Sequence, residues 1–167
     1  MTVLVRSAYL DTNVYIAAYQ RGPLRAPTGT FIGLLRARAL AVAGSAALRN
    51  EFGAAPVERR SRGSVALYLE LVNLELPRTR EAAALKALYT KVCGLKGPDA
   101  EHLAFAVLSG VDAFVSWNRK DILRPSTVGH LARANDLRGL RTPLILDPAE
   151  FVRRAKLTPR RGRLVLD

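Results

Sequence analysis

Three observations predict an α/β chain, with a mainly parallel sheet between two helical layers. Short apolar, β-prone runs alternate with helical stretches along most of the 167 residues. Glycine and proline punctuate most of the junctions. The hydrophobic fraction, 49%, is high enough to bury a core in a chain of about one domain.

The elements follow in order. Residues 3–10 are apolar, interrupted only by Arg6 and Ser7, and read as one buried strand. That strand ends at Asp11-Thr12-Asn13, and 14–18 continue as helix. Gly22, Pro23, Pro27 and Gly29 mark a loop, after which 31–39 read as helical. Residues 41–45 are the second strand, and Ser45 is placed to cap a helix over 46–55. A basic connection at 59–63 leads to a helix over 64–72 and a short strand at 73–77. The helix over 80–95 is stopped by Gly94 and Gly97, and Pro98 opens another that runs to Leu108 and ends at Gly110. Residues 113–117 are the third clear strand and 142–146 a further one, and Pro148 starts a last helix reaching about Lys156. There is no internal repeat. The segment 153–163 carries six basic residues and no acid, so it reads as a mobile tail or surface strip. The folded domain is therefore placed at 1–152 and a basic C-terminal tail at 153–167.

The formal net charge is +12, and 21 of the 26 basic residues are arginine. A GC-rich coding bias accounts for arginine over lysine, but not for the excess of cations over acids. The excess suits a polyanionic partner, with nucleic acid first, against the plainer reading of a merely basic surface. The single cysteine, Cys93, excludes an internal disulfide and a thiol-based zinc cluster, and reads as a small core hydrophobe. The N-terminus lacks a charged leader with a long apolar run, and no uncharged apolar run approaches the length of a membrane span. A soluble, cytoplasmic protein is expected.

Ligands of open parallel sheets sit outside the carboxyl ends of the strands, and that rule selects among the acids. Asp11 ends the first strand; its ordinary reading is a helix N-cap. Glu51 lies three residues after Leu48, at the edge of the apolar stripe Leu48, Phe52, Ala55; its ordinary reading is a surface acid at the stripe's margin. Asp99 is followed at i+3, i+4, i+7 and i+8 by His102, Leu103, Ala106 and Val107, which puts it on the core side of its helix. The helix dipole accounts for an acid in the first turn but not for one facing inward, and Glu101 is the natural dipole acid. Asn118 and Asp121 follow the third strand and hang over the same edge as Asp11; turn chemistry is their ordinary reading. Asp112 precedes that strand and is assigned to the opposite end. Carboxylates gathered at one edge repel unless cations are bound or their pKa values rise. Oxygen ligands select hard ions, so Mg²⁺ or Mn²⁺ is expected, and a hard-metal site ringed by basic surface suits phosphodiester hydrolysis.

These residues resemble a known family. Tyr9-Leu10-Asp11-Thr12-Asn13-Val14 looks like the opening motif of PIN domains, and Asn50-Glu51-Phe52 stands where the family has its second acid. Asp99-Ala100-Glu101-His102-Leu103-Ala104-Phe105-Ala106 resembles the third motif, and Val115-Ser116-Trp117-Asn118-Arg119-Lys120-Asp121-Ile122 the fourth. The match runs in order from about residue 7 to residue 151. The resemblance implies a PIN-like three-layer α/β/α fold and Mg²⁺- or Mn²⁺-dependent endonuclease cleavage of RNA. It further implies Asp11, Glu51, Asp99 and Asn118 as the metal-holding and catalytic set. Many bacterial and archaeal members are toxins of VapBC-type pairs that dimerise and are inhibited by a small antitoxin, so an antitoxin partner and a homodimer are implied too. Asn118 departs from the acid common at the fourth position and lowers the site charge, which Asp121 would offset. The alternative is a PIN-fold adaptor that holds RNA without turnover. A DNA-directed nuclease ranks third, because no extended DNA-clamping insertion is visible.

Overall fold

The first stretch of chain divides where Arg6 and Ser7 interrupt its apolar run. In the computed structural model, which describes residues 3–54, 62–157 and 163–167, β1 (Val3–Leu4) and β2 (Ser7–Leu10) belong to different sheets. The backbone N–H groups of Arg6 and Ser7 are held by the Asp112 carboxylate, at 2.8 and 3.1 Å, which turns the chain from one sheet into the other. The single strand expected over 3–10 is thus two.

From β2 the chain runs through α1 (Thr12–Ala17), α2 (Arg25–Arg38), β3 (Ala41–Ser45), α3 (Ala46–Ala54), α4 (Arg62–Leu71) and β4 (Val72–Leu76). It continues through α5 (Arg80–Cys93), α6 (Gly97–Ser109), β5 (Ala113–Val115), α7 (Pro125–Asp136), β6 (Leu144–Leu146) and α8 (Pro148–Arg154). Five strands form a parallel sheet in the order β4-β3-β2-β5-β6. Helices flank it in a three-layer α/β/α arrangement, with α5 packed on α6 and α7, α2 on α8, and α1 on α2 and α4. The sheet centre is covered on both faces: Ala8, Tyr9, Leu10, Ala113, Phe114 and Val115 are all fully buried. The edge strand β4 is half-exposed, and Leu74 faces solvent.

Three differences from the sequence expectation have plain causes. The helix expected from 31 begins at Arg25, because Pro27 falls in its first turn, where a missing N–H is no loss. Between 122 and 141 the sequence reading assigns nothing, yet α7 is there: Pro125 starts it, and Thr127, Leu131, Ala134 and Asn135 are its buried positions. Its apolar stripe is thin because Asn135 sits inside it, satisfied by the Tyr89 hydroxyl at 2.6 Å and by Thr142 at 2.9 Å. The expected basic tail is structured at both of its described ends. β7 (Ala155–Leu157) and β8 (Leu164–Leu166) pair antiparallel, and β8 pairs antiparallel with β1. Leu164 and Leu166 enter the core, which a tail of alternating Leu164-Val165-Leu166 can do as a strand. Arg153 is paired with Glu150, and Lys156 with Asp167, so part of the expected positive strip is neutralised within the fold. Residues 59–61 of the expected basic connection, and Ala55, Arg160 and Arg161, lie outside the described residues. Among the described residues no helix is long and apolar enough to cross a membrane.

The chain leaves the sheet centre in two directions: β2 leads to β3 and β4 on one side, and β5 and β6 lie on the other. The carboxyl ends of β2 and β5 therefore bracket the switch point, where open α/β sheets bind ligands.

Candidate functional site

Asp11 stands at that switch point. Its backbone N–H extends the ladder to the Val115 carbonyl at 2.9 Å, so it is locked to the end of β5. By position it is the N-cap of α1, yet its side chain caps nothing. Asp147 shows the contrast: it occupies the same place at the end of β6, and its carboxylate accepts from the Glu150 N–H at 2.7 Å as an N-cap should. The Asp11 carboxylate is turned away and is almost wholly buried, 4% exposed. Its Oδ2 accepts from Ser116 Oγ at 2.6 Å and from Asn13 Nδ2 at 2.7 Å. Asn13 also spans the switch point, accepting from the Trp117 N–H at 2.9 Å. These two neighbours set the orientation of Asp11 and leave Oδ1 aimed at the cluster.

Glu51 reaches the same place from α3. Its Oε2 accepts a short hydrogen bond from Thr12 Oγ1, and its Oε1 lies 3.0 Å from His102 Nε2. Burial pushes the Glu51 carboxyl up, but His102 and Thr12 outweigh it and hold the group below the usual range.

Asp99 comes from the first turn of α6 and accepts from Asn118 Nδ2 at 3.1 Å. Its carboxyl is pushed up to about 6, first by burial and then by the charges of Asp11 and Asp121. Asp99 is the acid of that first turn, whereas Glu101, expected as the dipole acid, lies beyond it and faces away, bound by Arg78 and Lys86. The structure thus brings Asp11, Glu51, Asp99 and Asn118 to one sheet edge. Asn118 joins through its amide N–H, while its Oδ1 accepts from the Asp121 N–H at 3.0 Å and its own N–H donates to Ser116 Oγ. As placed, it holds Asp99 and shapes the loop. Asp121 sits near enough for its charge to act on Asp99. Asp112 lies at the opposite end of the sheet, tied to Arg6, Ser7 and Arg141.

The residue that sequence reasoning passed over is His102. It is 1% exposed, directly beneath the acids. Nδ1 is 2.9 Å from the Tyr9 hydroxyl, which in turn is 2.7 Å from Ser45 Oγ. Nε2 lies 3.0 Å from Glu51 Oε1 and 3.8 Å from Asp11 Oδ1, yet it makes no hydrogen bond of acceptable geometry to either. Burial pushes the imidazole pKa down, but Glu51, Asp11 and Asp99 together carry it above its usual value. The available signal was its place at i+3 from Asp99 on the core-facing side of α6.

Carboxylate oxygens with a neighbouring imidazole nitrogen are donors of the kind that divalent cations take. Three carboxylates share one edge, one of them with a raised pKa, and a buried nitrogen among them has no hydrogen bond. As they stand, no three His, Cys, Asp or Glu side chains among the described residues are arranged as a ready-made cage. Glu51, with its side chain 34% exposed, has more room to move than the 6% exposed side chain of Asp11.

No family model matches the chain, and no curated protein does. Among solved structures, a toxin–antitoxin complex from Klebsiella pneumoniae is similar, with a TM-score of 0.51 and 24% identity, covering 71% of this chain and 93% of that one. At that identity the likeness shows the fold.

Proposed function

We propose that this chain is a PIN-type, Mg²⁺- or Mn²⁺-dependent endoribonuclease acting as the toxin of a toxin–antitoxin pair. The observation that carries the reading is Asp11: a carboxylate at the switch point in a helix-capping position, buried, and turned from the cap into a cluster with Glu51 and Asp99. A structural acid at that place would cap its helix, as Asp147 does. The solved neighbour's description as a toxin–antitoxin complex supports the toxin role, and the net charge of +12 supports an RNA partner.

In this reading Asp11, Glu51 and Asp99 hold the ion. Asn118, expected as a fourth ligand, acts as the donor that fixes Asp99. Ser116 and Asn13 keep one Asp11 oxygen occupied so that the other faces the ion. Once bound, a divalent ion offsets charge on the scissile phosphate and makes water a better nucleophile. A small antitoxin and a second copy of the chain are the proposed protein partners.

The test is cleavage of a mixed RNA pool by the purified full-length protein with Mn²⁺ or Mg²⁺, followed by sequencing of the ends. Cleavage at a restricted set of sites, stopped by EDTA, is expected. Cleavage that persists in EDTA would point to attack by the RNA 2′-hydroxyl and overturn the metal mechanism. Specific RNA binding without cleavage would make the protein an adaptor.

A further inference from the structure

We infer that His102 supplies, through Nε2, a nitrogen donor to the metal site, and that the site therefore prefers first-row transition ions such as Mn²⁺ over Mg²⁺. The inference rests on the proposed carboxylate metal site and adds to it a ligand of different chemistry. An all-oxygen set suits Mg²⁺, whereas imidazole is a ligand for transition ions.

Three atoms carry the argument. Asp11 Oδ2 is occupied by Ser116 and Asn13, which leaves Oδ1. Glu51 Oε2 is occupied by Thr12, which leaves Oε1. His102 Nε2 stands 3.0 Å from Glu51 Oε1 and 3.8 Å from Asp11 Oδ1, is buried, and has no hydrogen bond. Ligand atoms on one ion with bonds of about 2.1 Å stand roughly 3.0 to 3.5 Å apart, so the 3.0 Å spacing to Glu51 already suits a shared ion and the 3.8 Å spacing to Asp11 needs a shift of about 0.3 Å. A hydrogen bond needs the Nε2–H aligned with its acceptor, and it is not; a shared ion needs only both lone pairs directed between the atoms.

The other face of the ring agrees. A metal-binding histidine donates its second ring N–H to a fixed acceptor, which sets the tautomer and leaves the ligating nitrogen with its lone pair. Here Nδ1 meets the Tyr9 hydroxyl, and Tyr9 meets Ser45 Oγ. All three residues are buried, so the relay is fixed by the fold. Tyr9 precedes Leu10 and Asp11 on the central strand, so the residue orienting the nitrogen donor and the residue giving an oxygen donor are two positions apart on one rigid element.

The experiment uses full-length protein stripped of metal and reloaded with Mn²⁺, read by pulsed EPR for coupling to a directly bound ¹⁴N. The wild type is expected to show imidazole coupling. Asp11→Asn should lose the bound Mn²⁺, which places the signal at this site. His102→Gln should lose the coupling and bind Mn²⁺ about 10- to 100-fold more weakly, with Mg²⁺ binding little changed. Tyr9→Phe should keep the coupling but weaken Mn²⁺ binding by about 10-fold. The chain has two histidines, so coupling that survives in His102→Gln would come from His130 or a backbone nitrogen and overturn the inference. Bound Mn²⁺ without ¹⁴N coupling in the wild type would also overturn it, while leaving the carboxylate site intact. No bound Mn²⁺ at all would overturn the carboxylate site, and this inference with it.

Discussion

Asp99→Asn should stabilise the metal-free protein while removing its activity. The ordinary pKa of the Asp99 carboxyl is 3.8, and in the fold it is pushed up to about 6 by burial and by the charges of Asp11 and Asp121. The sign follows from proton uptake. Between about pH 6 and pH 4 the folded protein holds a proton that the unfolded chain has released, so this group's contribution to stability rises as pH falls through 6. Above pH 6 the ionised carboxylate is a liability of at most about 3 kcal/mol, from a shift of roughly two pH units at about 1.4 kcal/mol each. Asparagine drops the charge but keeps an oxygen to accept from Asn118 Nδ2. The site is partly open to solvent, which screens these charges, so a net gain of about 1–2 kcal/mol is expected near pH 7.5. In a chain of this size that raises Tm by about 2–8 °C. Near pH 5 the advantage should shrink, because the wild type has then largely taken up its own proton. Adding Mn²⁺ should reverse the order, since an ion that binds only the folded wild type stabilises it by mass action. Thermal melts of both proteins, with EDTA and with Mn²⁺ at the two pH values, provide the check. A variant that melts below the wild type in EDTA near pH 7.5 would make Asp99 a structural acid serving the dipole of α6, and the reasoning would fail.

Asp11→Asn should abolish RNA cleavage by orders of magnitude while leaving the melting point of the metal-free protein close to that of the wild type, because the asparagine oxygen can still accept from Ser116 and Asn13; a variant that keeps cleaving RNA would remove Asp11 from the metal site. Asn118→Asp should lower activity, because it replaces the amide that donates to Asp99 with a fourth carboxylate against the cluster; an enzyme as active as wild type or more so would identify position 118 as a metal ligand after all. Deleting residues 159–167 should cost more than about 4 kcal/mol, since it removes Leu164 and Leu166 from the core, each in the range of about 2–5 kcal/mol; an unchanged melting point would show that β8 contributes little. RNA affinity should therefore be probed with charge-removing substitutions such as Arg163→Gln, read at two salt concentrations: a flatter salt slope marks a phosphate contact, and an unchanged slope excludes one.

The central strands and most helices were legible because their signals are local. Short apolar, β-prone runs mark β2, β3 and β5, while Gly94, Pro98 and Gly110 mark ends of α5 and α6 where stops and starts are expected. What escaped depends on distant residues. The polar face of α7 is pinned by Tyr89 and Thr142, from elements far along the chain. The strands of the chain end exist because β1 is there to receive β8, and a reading that saw only six cations at 153–163 could not see their acids at Glu150 and Asp167.

The candidate site divides along the same line. Asp11 and Asp99 were legible from a strand end and helical periodicity, whereas Glu51, at the margin of its apolar stripe, was picked out by the motif resemblance. The role of His102 was not, because periodicity places it among Leu103, Ala106 and Val107 and says only that it is buried. A buried histidine is ordinary when both ring nitrogens find partners, and sequence does not say whether they do. The answer lies in register: β2 sits between β3 and β5, with Tyr9 opposite Ala43 and Phe114, and this brings the Tyr9 hydroxyl to Ser45 on one side and to the His102 ring on the other. With Nδ1 engaged there, Nε2 is left facing Glu51 and Asp11. Shifting β2 by one residue would turn Tyr9 to the opposite face of the sheet and take away the partner that orients the ring. The pairing of three strands, rather than any property of residue 102 alone, thus makes this histidine part of the acid cluster.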